Sequence, residues 1–175
     1  MDRLNKAIAC MNELGRKIKV NSFEDKLVLQ KTICLLELMG VRIGYSFSLY
    51  IRGPYSPDLT EDIYHHREMV ESSKTGYALS KHEKELVGKV SEASNNLEPE
   101  MLEIMATYAY FIKNGRDSRE AFLETKKLKP FFSESKIVVS VSRAKQLFPP
   151  SEEAIRRMKA EFSDWENTAL SGQKY

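Results

Sequence analysis

Phe47-Ser48-Leu49-Tyr50-Ile51-Arg52-Gly53-Pro54-Tyr55-Ser56-Pro57-Asp58-Leu59-Thr60-Glu61-Asp62-Ile63-Tyr64 is the stretch whose reading decides the fold. Tyr45, Phe47, Leu49 and Ile51 alternate with Ser46, Ser48 and Tyr50, a period of two that predicts a half-buried strand. Gly53-Pro54 then predicts a tight turn. Ser56-Pro57 predicts a helix start, because the hydroxyl caps orphan amides and proline suits the first helical position. Asp58, Glu61 and Asp62 place negative charge where the helix dipole favours it, and the helix is expected to run to about Glu71.

Upstream, Leu4, Ile8, Met11 and Ile18 predict an amphipathic helix over 3–18. Ser22, with Asp25 three residues on, predicts the cap of a second helix over about 23–39. That helix is apolar round most of its circumference and is expected at the centre of the core. Downstream, Tyr77-Ala78-Leu79 reads as a short strand, and Ser80 to Glu83 as a capping box opening a helix over 81–94. The rest reads as helices: 99–113 with Leu102, Met105, Ala109 and Ile112 on one stripe, a short one from Ser118, one capped by Ser133, and a last one holding Met158, Phe162 and Trp165.

The expected fold is therefore mainly α: a helical bundle with a small two-stranded β element and a winged-helix-like order in the N-terminal half. A single domain, 1–175, is expected, with a seam near Asn95-Asn96 between subdomains 1–95 (helices plus the small sheet) and 96–175 (all-helical). A chain of 175 residues is long enough for one sizeable core.

The 42% apolar and 30% charged fractions are those of a soluble globular protein, and no run approaches the length of a membrane span. The first residues lead into a charged helix and not a signal peptide, so a cytoplasmic location is expected. A net charge of +2 is too small to imply a nucleic-acid or membrane partner. Cys10 and Cys34 sit among apolar residues and read as buried, reduced side chains.

Lys31-Thr32-Ile33-Cys34-Leu35-Leu36, the aromatic strand, Gly53-Pro54-Tyr55-Ser56, and Leu59 with Ile63-Tyr64 together resemble the Panacea domain of antitoxins. The nearest branch is its YwgA-like group of bacterial and archaeal proteins. The stretch from Met105-Ala106-Thr107 through Lys129-Pro130 to Phe132-Ser133 is similar to that group too, so the resemblance covers about 25–147. It implies a mostly helical protein that works by binding another protein, such as a toxin, or as an adaptor to a protease system.

Three functional readings follow. The first is a protein–protein interaction module, antitoxin- or adaptor-like and not an enzyme, with Tyr50, Arg52, Tyr55, Asp58, Glu61, Asp62 and His65 facing a basic partner. Tyr50 and Tyr55 read first as packing against the following helix, with the partner patch as the functional alternative. The second is a winged-helix-related DNA-binding regulator using Lys74, Lys81 and Lys84. Against it, the helix over 57–71 carries Asp58, Glu61, Asp62, Glu68 and Glu71 with Arg67 alone opposing them. The third is a metal-dependent enzyme at His65/His66. Adjacent helical side chains diverge by about 100°, so the two histidines share an ion poorly, and no catalytic residue, metal ligand set or cofactor is assigned. Lys126-Lys127 and Lys129 read as a solvated basic cluster.

Overall fold

The computed structural model describes residues 2–149 together with 152, 153, 155, 156, 159, 160 and 163. In chain order the elements are α1 (Asp2–Glu13), α2 (Phe23–Leu38), β1 (Ser48–Tyr50), β2 (Gly53–Tyr55), α3 (Pro57–His65), α4 (Arg67–Ser72), α5 (Lys81–Ala93), α6 (Pro99–Lys113), α7 (Ser118–Leu128) and α8 (Glu134–Leu147). The chain is mainly helical, with β1 and β2 forming a two-stranded antiparallel sheet. Met158, Phe162 and Trp165, expected on a last helix, lie outside the described residues.

Two helices make the centre. In α2 every residue from Leu27 to Leu36 is buried, and Ser22 caps the first turn by accepting the Asp25 amide at 3.0 Å. In α6 every residue from Met101 to Ala109 is buried. A single stripe was expected on α6; instead it is walled by α2, α7, α8 and β2, which leaves it no solvent face over those turns. Each leucine so enclosed contributes about 1.5–3 kcal/mol. One hydrophobic cluster runs from Leu4 and Ile8 of α1 through Ile33 and Leu36 to Met105, Val141 and Phe148, across the turn at Asn95-Asn96.

Several local expectations are corrected. α1 ends at Glu13, since Gly15 takes φ +65° and turns the chain; Ile18 is still buried, but from an extended segment. The helix expected over 57–71 divides at His66, whose φ of −118° and ψ of 36° close α3 and open α4. Residues 77–79 form no strand; the partner of β1 is β2, Gly53–Tyr55. Both strands therefore precede α3, where a winged-helix order would set them on either side of it.

The hairpin itself also differs from the reading. Its turn is Ile51-Arg52, and Gly53-Pro54 forms the returning strand. Gly53 is held at φ +84°, and a Cβ there would run into Thr107 Oγ1 of α6. Glycine thus serves both the backbone conformation and the close approach of β2 to α6. The alternation read over 45–51 holds only at its start: Tyr45 is buried and Phe47 half-buried, with Ser46 and Ser48 exposed. At β1 the chain lifts off the core, and Ile51, expected inside, is 85% exposed.

Candidate functional site at the hairpin tip

The register pairs Ser48 with Tyr55, Leu49 with Pro54 and Tyr50 with Gly53. Pro54 has no N–H, so Leu49–Pro54 is a pair that exchanges no hydrogen bonds, and Ser48–Tyr55 and Tyr50–Gly53 are the bonded ones. In the non-bonded pairs the backbone groups point outward from the hairpin. On the β2 side α2 receives them. Lys31 Nζ donates to the Pro54 carbonyl at 2.6 Å. The Gln30 amide donates to the Ser56 carbonyl at 2.9 Å and accepts the Ser56 N–H at 3.0 Å, as a neighbouring strand would. Ser56 in turn caps α3 by accepting the Leu59 amide, as read from the sequence.

Beneath the turn lies a charge cluster. Lys129, fully buried after α7, donates from Nζ to Glu103 Oε1 of α6 at 2.7 Å and lies 3.4 Å from the Ile51 carbonyl. Arg52 reaches the other Glu103 oxygen at 3.5 Å. Burial is the main force holding the Lys129 ammonium below its ordinary range, opposed by Glu103. Burial likewise pulls Lys31 down to about 8, with Lys129 and Arg52 adding to the effect. The cluster holds three cations against one carboxylate.

Above it the surface is apolar. The Arg52 guanidinium lies over the rings of Phe23, at 5.6 Å, and Phe131, at 5.3 Å. Phe23, Tyr50, Ile51 and Phe131 are all more than half exposed. Tyr50 meets Tyr55 edge to face at 5.3 Å. Contiguous exposed aromatic and aliphatic side chains round an arginine are the composition of a protein-binding hot spot.

The remaining site residues read from the sequence are placed differently. Asp62 faces α1, where Arg3 binds both its oxygens at 2.6 and 3.1 Å and the Tyr45 hydroxyl donates to it at 2.9 Å. The Arg3 hydrogen bond holds the Asp62 carboxyl below its usual range. Asp58 pairs with the same guanidinium at 3.2 Å. These two aspartates tie α3 to α1; Asp58 nonetheless stays 56% exposed, and Glu61, 3.9 Å from His65 Nδ1 with both side chains exposed, continues the outward acidic face. His66 is half-buried. Among the described residues no three His, Cys, Asp or Glu side chains gather where they could hold a metal ion. Lys74 and Lys81 are exposed, while Lys84 pairs with Glu13 of α1 at 3.2 Å.

Sequence reasoning passed over Lys31, Glu103, Lys129, Phe23 and Phe131. The legible signal was a lone charge inside an apolar helix, as in Met101-Leu102-Glu103-Ile104-Met105. Such a charge, with the helix buried all round, requires a partner of opposite sign. Lys129, read as part of a solvated cluster, is that partner. Cys10 and Cys34 are free and buried, as expected, with both thiols pushed up to about 12 by burial.

A separate cavity of about 570 Å³ lies between residues 16–29 and 95–99. Its rim mixes Arg16, Lys17 and Lys19 with Glu24, Asp25 and Glu98, and no catalytic set of side chains converges there. No helix among the described residues is long and apolar enough to cross a membrane. Comparison with protein-family models, curated proteins and solved structures returns no match.

Proposed function

We propose that this chain is a cytoplasmic protein–protein interaction module, antitoxin- or adaptor-like as its resemblance to the Panacea domain implies, and that it binds its partner through the hairpin tip. The observation that carries this reading is the exposed patch of Phe23, Tyr50, Ile51 and Phe131 round Arg52, seated on a buried ion pair. Exposed apolar side chains cost solubility and contribute nothing to this core, so their clustering supports a use outside it. The patch replaces the acidic helix as the centre of the interface. Asp58, Glu61 and His65, all exposed, form its outlying part, while Asp62 is held by Arg3.

The test is capture from the source cell with wild type, Ile51→Asp and Glu61→Lys as baits, followed by reconstitution with the purified partner. Ile51→Asp is expected to weaken binding by tenfold or more, and Glu61→Lys by a few-fold at most. A partner held equally by Ile51→Asp and wild type would overturn the reading. Binding to DNA that falls steeply with salt and is lost on neutralising Lys74 and Lys81 would favour the regulator reading in its place.

A further inference from the structure

The small sheet is closed on one side and open on the other. On β2 the outward groups of Pro54 and Ser56 are taken by Lys31 and Gln30. By the same register, Phe47 and Leu49 on the opposite strand point their amides and carbonyls away from β2. Among the described residues β1 pairs with β2 alone; Glu37 accepts the Gly44 and Tyr45 amides just upstream, and no backbone–backbone hydrogen bond reaches Phe47 or the outer side of β1. Every β1 side chain is exposed. An unpaired edge of this kind is a template for a further strand.

Charge selects what would fill it. The cluster of Lys31, Lys129 and Arg52 holds only Glu103 as counter-charge, and Arg52, its one exposed member, lies in the turn that follows β1, over Phe23 and Phe131. A second copy of this chain fits poorly, since its own Tyr45 to Tyr55 segment contains no Asp or Glu to set against Arg52. We propose that an extended, carboxylate-bearing segment of a protein partner adds to β1 as a third strand, hydrogen-bonded to Phe47 and Leu49, with its carboxylate on Arg52. Apolar side chains of the segment cover Ile51 and Phe131. This proposal rests on the interaction-module reading and names the form of the partner.

The experiment is selection of a displayed library of random linear ten-residue peptides on the immobilised full chain, followed by anisotropy on the synthesised winners. In the free protein the Leu49 amide exchanges with solvent faster than those of Ser48 and Tyr50. The selected peptides carry alternating apolar residues with Asp or Glu at a fixed offset, and they slow exchange at Leu49. Methylating the peptide backbone on alternate nitrogens, those facing β1, weakens binding at least tenfold, while methylating the intervening ones changes it little. Arg52→Gln weakens binding about tenfold, and Arg52→Glu redirects selection toward Lys and Arg.

Failure takes distinguishable forms. Winners that tolerate methylation at every nitrogen, or that show no fixed acidic position, overturn strand addition while leaving the interaction reading in place. A library that yields nothing above background overturns it as well. Self-association in sedimentation that is abolished by Leu49→Pro would assign the edge to a second copy and overturn the proposed occupant. Partner capture indifferent to Ile51→Asp removes the interaction reading and this proposal together.

Discussion

Replacing Glu103 with leucine removes the carboxylate that Lys129 and Arg52 share. Arg52 is half exposed and water takes over its solvation. Lys129 has no such recourse: its side chain is fully buried, and its remaining contact is the Ile51 carbonyl at 3.4 Å. Breaking a buried pair by deleting one member costs roughly 3–5 kcal/mol. In a chain of this size each kcal/mol lowers the melting temperature by about 2–4 °C, so a loss of about 10 °C is expected for Glu103→Leu. Adding Lys129→Met removes the stranded ammonium and returns the protein to within about 1 kcal/mol of wild type, since a well-packed apolar pair is close to neutral against a buried ionic one. Urea unfolding of wild type, both single variants and the double variant gives the coupling energy directly. A single-variant cost below about 1 kcal/mol, or a double variant as unstable as the two singles summed, would refute the account of Glu103 as the neutraliser of this base.

Three further outcomes follow from the same geometry. Gly53→Ala meets Thr107 Oγ1 and a left-handed φ together, and is expected to cost about 2 kcal/mol or more; adding Thr107→Ala recovers the steric part but not the backbone part, as calorimetry on the pair would reveal. Lys31 lies at about 8 in the fold against 10.5 when exposed, so between those values the unfolded chain binds more protons and this group's contribution to stability rises with pH, by roughly 3 kcal/mol in all; melting curves of wild type and Lys31→Met from pH 7 to 10 should show a rise in the difference, and a flat difference would count against it. Glu83 is held at about 2 chiefly by its hydrogen bond from Lys6, so the stability it confers is intact above about 4.5 and lost as pH falls toward 2; Lys6→Met should flatten that acid limb.

The helical scaffold was legible because its signals are local. Ser22, Ser56, Ser80 and Ser133 mark helix starts by a hydroxyl accepting an amide two or three residues on, and the structure places a cap at each. The burial of α2 followed from its circumference. The hairpin was only half legible: alternation found the strand, but Gly53-Pro54 carried the signature of a turn while its conformation is set by contact with Thr107, which is distant in sequence. The division at His66 has no local mark at all, since neither Gly nor Pro occurs between Asp58 and Thr75. At the site, Tyr50, Arg52 and Tyr55 were found from composition near the turn. The charges beneath them were missed because a charged residue reads as exposed unless its helix is buried on every side, and for α6 that depends on α7 and α8.

The Gln30 amide that grips Ser56 has a consequence for assembly. A sheet with two bare flanks can grow without limit, each added strand exposing another. Here one flank is sealed by side chains from α2, so accretion has a dead end on that side. A copy of this chain docking on the other flank would turn its own sealed side outward, so self-pairing stops at two chains where an unsealed sheet of the same size would seed fibres.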